Sequence, residues 1–167
     1  DKTLKEKCQL ANDIHLSLCN AIELATLRAH GQDAAATLMW KMLRRHQIKY
    51  FLTGLNKLGL DSEDSDAVKS GKYHYFSNIL GGLDIHYVEE SPEKVWIRYP
   101  PPYSMSDSPF TPSVGIAAFA PQVGHATFHA WHAYNGTSLG NPKLGFVLTQ
   151  VAHQGDPCHE GYFKIFD

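Results

Sequence analysis

The chain has 167 residues, 43% hydrophobic and 19% charged, with a formal net charge of −2. That is about one domain's worth of sequence with enough apolar content for a core, which excludes a disordered or low-complexity protein. With no basic surplus to neutralise phosphates, nucleic acid is not an expected partner. No stretch approaches the ~20 apolar residues of a membrane helix, so no membrane partner is expected either.

The first third reads as helix. Leu4, Cys8, Ala11, His15, Leu18, Cys19, Ile22 and Ala25 recur every three or four residues, and Gly31 is a natural stop. Asp33 is the expected N-cap of a second helix that ends near Gly54, with Lys41, Arg44, Arg45 and Lys49 toward its C-terminal end. The acidic run Asp61–Asp66 reads as a loop and N-cap rather than a calcium loop, because it lacks that motif's Gly and distal Glu. A third helix is predicted over Asp66–Leu80, interrupted at Gly71 and closed by Gly81-Gly82.

The pattern then changes. Leu83–Glu90 and Lys94–Tyr99 are rich in β-branched and aromatic residues, and Ser91-Pro92-Glu93 joins them as a hairpin. Pro100-Pro101-Pro102 opens a loop in which Tyr103 and Asp107 are candidate lid residues. A fourth helix is predicted within Gly115–Tyr134, followed by strands at Leu144–His153 and Cys158–Phe166. The expectation is an α+β fold in a single domain, 1–167. A helical part, 1–82, packs N-terminal helices on one face of a roughly four-stranded antiparallel sheet. The second part, 83–167, supplies that sheet as two hairpins with a His-rich helix between them.

Three cysteines, Cys8, Cys19 and Cys158, make no disulfide framework and suit a reducing, cytoplasmic setting. Ten histidines are the compositional outlier. His125, His129 and His132 fall within about 60° of arc at ~100° per residue. One narrow helical face of imidazoles suits acid–base catalysis, anion binding or a zinc or iron site, completed in the last case by Glu160 or Asp107. In the closing strand, alternation puts Cys158, Glu160 and Tyr162 on one face and His159, Gly161 and Phe163 on the other. Cys158 and Glu160 are therefore candidate nucleophile and acid–base groups. Arg98 is a candidate for holding a substrate carboxylate, with His74, Tyr103 and Tyr134 as further substrate-binding candidates. The exposed aromatic hairpin edge makes a homo-oligomer an expectation.

Arg98-Tyr99-Pro100, Gly140-Asn141-Pro142, Gly155-Asp156 and Cys158, in that order, resemble the L-2-amino-thiazoline-4-carboxylic acid hydrolase family over roughly Leu83–Asp167. Where that family has Cys-Pro, this chain has Tyr99-Pro100, so a role for that thiol is missing. The layout is also similar to small-molecule-binding domains of the 4-vinyl reductase type. The resemblance implies hydrolytic opening of a cyclic amidine or thiazoline C–N–S ring, with no cofactor required. His129 or His125 would then activate water, His132 or Glu160 would deliver a proton, and Arg98 would bind the carboxylate. Cys158 is the alternative covalent nucleophile. Two other readings stand beside it: a zinc or iron enzyme on the three histidines, and a non-enzymatic module that binds a small ligand in an aromatic pocket.

Overall fold

A computed structural model describes residues 3–60, 62–80, 84–100, 136, 138–150 and 156–167. Three helices, α1 (Leu4–His30), α2 (Gln32–Lys57) and α3 (Asp66–Leu80), precede four strands, β1 (His86–Ser91), β2 (Lys94–Tyr99), β3 (Leu144–Gln150) and β4 (His159–Ile165). The strands form one antiparallel sheet in the order β1-β2-β4-β3. The fold class is α+β, as the block arrangement of helical and strand patterns predicts. The region of the expected fourth helix, with His125, His129, His132, Tyr103, Asp107 and Tyr134, lies outside the described residues.

Local chemistry sets the helix ends. Thr3 and Glu6 make a reciprocal capping box at the start of α1. Gly31 ends α1 at a φ of 84°, a conformation that favours glycine, and its N–H donates to the Leu27 carbonyl at 2.9 Å. The same glycine begins α2, so Asp33 is not the cap and sits in the first turn, where its charge still suits the helix dipole. α2 also runs past Gly54 to Lys57. That glycine lies against the Tyr73 ring, where a Cβ would collide, so it serves packing rather than termination. Ser65 opens α3, its hydroxyl accepting from the Val68 N–H at 3.2 Å.

Gly71 does not interrupt α3. Ala67, Ser70, Gly71 and His74 are all buried, and their spacing makes them one helical face. That face lies on the sheet. A Cβ at Gly71 would run into Val95 and come within 2.8 Å of Tyr87. The core is made there, from Ala67 and Val68 of α3, Val95 and Ile97 of β2, Leu144 and Phe146 of β3, and Phe163 of β4. Asn141 fastens the entry to β3 onto the helix: its side-chain amide donates to Asp66 at 2.7 Å, while its oxygen accepts from the Lys143 N–H. Among the helices, α3 makes the principal contact with the sheet, and α1 and α2 pack chiefly on each other. The expected layer of several helices on one sheet face is thus mainly one helix, with a helical pair beside it.

The periodic apolar stripe of α1 does not mark a buried face. Leu4, Ala11, Leu18, Ile22 and Ala25 are exposed, and Leu24, outside the predicted stripe, is buried. No helix among the described residues is long and apolar enough to cross a membrane.

Candidate functional site

The face of the sheet turned away from α3 carries the candidate site. Antiparallel register places side chains in cross-strand rows, because alternate residues share a face. His86 pairs with Arg98, and Arg98 with Glu160. One step along, Val88 pairs with Trp96, and Trp96 with Tyr162. His86, Val88, Trp96, Arg98 and Glu160 line an open cleft of about 380 Å³.

The cleft has a polar end and an apolar end. At the polar end, Arg98 Nε donates to Glu160 Oε2 at 2.6 Å and its terminal nitrogen completes the ion pair. Arg98 is half exposed, whereas the Glu160 side chain is only 13% exposed. Thr149 holds the carboxylate from the other side, its hydroxyl donating to the Glu160 carbonyl at 3.1 Å and to Oε1 at 3.4 Å. At the apolar end, the Trp96 and Tyr162 rings lie 4.7 Å apart between centroids. Lys94 sits over both rings, 4.8 and 4.7 Å from their centroids. The indole N–H donates to Glu90 at 2.5 Å, and Lys94 bonds the same carboxylate, which holds it below the usual carboxylate range. The Trp96 ring is therefore fixed rather than swinging.

Cys158 lies just before β4, buried, with Sγ 2.9 Å from the Gln150 side-chain oxygen. Burial pushes its thiol pKa up; the Arg98 charge opposes this, and Glu160 and Asp156 add to it. The net direction favours the thiol over the nucleophilic thiolate.

Of the residues expected from sequence, the structure brings Arg98 and Glu160 together, with Cys158 beside them. It does not bring His74 to them. His74 is buried on α3, stacked on Phe163 at 5.3 Å and edge-on to Tyr73, so the sheet lies between it and the cleft. His74 therefore does not line this cleft. Arg98 is also not an unengaged cation awaiting a carboxylate, because Glu160 already holds it. His86, Val88 and Trp96 are cleft residues that sequence reasoning did not name. Strand alternation outward from Arg98 would have found Trp96, but His86 and Val88 also require the strand register. No group of three or more His, Cys, Asp or Glu residues that could hold a metal occurs among the described residues.

No protein-family profile matches the chain, and no curated protein matches it. Among solved structures, it is similar to subunit 3 of the trafficking protein particle complex from Naegleria fowleri, covalently bound to palmitic acid. The TM-score is 0.56 at 9% identity, over 95% of this chain and 96% of that one. The likeness is one of fold.

Proposed function

We propose that this chain binds a small carboxylate-bearing molecule that also carries a cationic group, in the cleft on the outer face of the sheet. One observation carries the reading: Arg98 and Glu160 stand side by side at one end of a cleft floored by Val88 and a fixed Trp96. A ligand with both charges can exchange the protein's internal ion pair for two intermolecular ones, its carboxylate on Arg98 and its cation on Glu160. A simple anion would have to strip Arg98 from Glu160 without replacing that partner. A flat or short aliphatic body then covers Trp96. The cleft volume falls within the usual range for small-ligand sites. The fold neighbour is covalently bound to palmitic acid, which supports ligand binding as a use of this architecture.

Cyclic amidine carboxylates such as L-2-amino-thiazoline-4-carboxylic acid have this charge pattern. Their hydrolysis is the second reading, favoured by the placement of Cys158 and Glu160 beside Arg98. In it, His129 or His125 activates water and His132 or Glu160 supplies the proton. A zinc or iron enzyme on His125, His129 and His132 is a separate alternative to that hydrolase. Incubation with that thiazoline, followed by chromatography and thiol detection, separates them. Saturable binding with intact ligand recovered supports the binding module. Ring opening that is lost in His129→Gln replaces it with the hydrolase, and stoichiometric zinc or iron lost in the same variant makes it a metalloenzyme. Absence of both binding and turnover removes this ligand class.

A further inference from the structure

α1 carries an apolar surface that nothing among the described residues covers. Leu4, Leu10, Ile14, Leu18 and Ile22 are 77%, 40%, 57%, 60% and 38% exposed. With the exposed Ala11, Ala21 and Ala25 they fall within about 120° of arc, and no charged residue interrupts that arc between Lys7 and Arg28. Solvated helix faces do not look like this.

We infer that two copies of this chain pair antiparallel along α1. The stripe has a seven-residue rhythm in which Leu4, Ala11, Leu18 and Ala25 take one core position and Lys7, Ile14 and Ala21 the other. A two-fold axis passing between Asn12 and Asp13 sets Leu4 against the partner's Ala21. The same axis sets Ile14 against the partner's Ala11, and Leu18 against the aliphatic stem of the partner's Lys7. Leu4 and Ile14 thus each meet an alanine, and Leu18 lies along a flexible lysine stem, a match that two identical surfaces must achieve on their own to interlock. An unrelated partner would not require that match within one helix. The apolar area covered is roughly 500 Å² per copy, about 1,000 Å² in all, which reaches the floor for a specific interface. This pairing leaves the ligand cleft, on the outer face of the sheet, open.

The test is mass measurement by size-exclusion chromatography with light scattering across a concentration series, for wild type and Leu18→Glu. The wild type should run at twice the chain mass, and the variant at one chain mass with its helical circular dichroism kept. A crosslinking arm covers the case in which Leu18→Glu fails to fold. Ala11→Cys protein is mixed with Ile14→Cys protein, both in a Cys8→Ser, Cys19→Ser background, and should form a disulfide-linked pair. Ala11→Cys mixed with Ala25→Cys should not. Wild type at one chain mass at every concentration overturns the pairing, including the case where that monomer floats with phosphatidylcholine vesicles. So does a dimer that Leu18→Glu leaves intact and that gives no Ala11–Ile14 crosslink.

Discussion

The α3–sheet unit and the α1–α2 pair spend their apolar residues in opposite ways. In the first, Val95, Ile97 and Phe163 are fully buried, and α3 turns its small residues onto them. In the second, Leu4, Ile14 and Leu18 of α1 stay more than half exposed. Both regions show regular apolar periodicity in sequence. Periodicity identifies a face, but what covers that face is decided by the rest of the assembly.

The largest effect should come from the unit that covers its own face. Phe163, stacked on His74 and tilted against Phe146, should cost about 3–5 kcal/mol when replaced by Ala. Leu18→Ala should leave the unfolding free energy of the isolated chain within about 0.5 kcal/mol, because a side chain that is 60% exposed gives up little intrachain packing. Urea titrations below the dimer concentration range compare the two, and equal losses would dissolve the contrast. Next comes the α3–sheet seam. Gly71→Ala should cost about 1–3 kcal/mol by forcing a methyl into Val95 and Tyr87, whereas an ordinary helix gains from this exchange. A smaller effect of opposite sign is expected one residue earlier. The Ser70 hydroxyl is buried with no hydrogen-bond partner among the described residues, so Ser70→Ala should stabilise by about 1 kcal/mol in the same titrations.

The smallest effect concerns pH. The side-chain hydrogen bond from Lys72 holds the Asp64 carboxyl below its ordinary value, with Ser62 assisting. A depressed carboxyl pKa contributes stability that is present above the unfolded value and lost as pH falls through the folded one. The thermal midpoint of wild type should therefore fall more than that of Asp64→Asn on acidification through the carboxylate range. Both groups are near the surface, so salt should shrink the difference. Parallel pH curves would remove the pair from the account.

Particular residues explain what could be read in the sequence. The ends of α1 and α3 were legible because Gly31 and the 65–66 turn are local signals. The strands were legible because β-branched and aromatic runs have no helical alternative of comparable quality. Gly54 and Gly71 misled for one reason: each looks like a helix breaker, yet each admits a ring or side chain from elsewhere in the fold. The cleft was half legible. Alternation placed Glu160 and Tyr162 on one face, but the Arg98–Glu160 pairing depends on a register between strands 62 positions apart. The burial of His74 was not legible, because a histidine among aromatics reads alike in a core and in a pocket.

The claim that matters most is that the cleft takes a carboxylate-bearing cation, and calorimetric titration with L-2-amino-thiazoline-4-carboxylic acid tests it directly. Wild type should bind one equivalent, and Arg98→Gln and Trp96→Ala should each weaken binding at least about tenfold without unfolding the protein, a charge-assisted or stacking contact being lost in each. Binding that both variants leave unchanged, or no heat from the wild type, would contradict it.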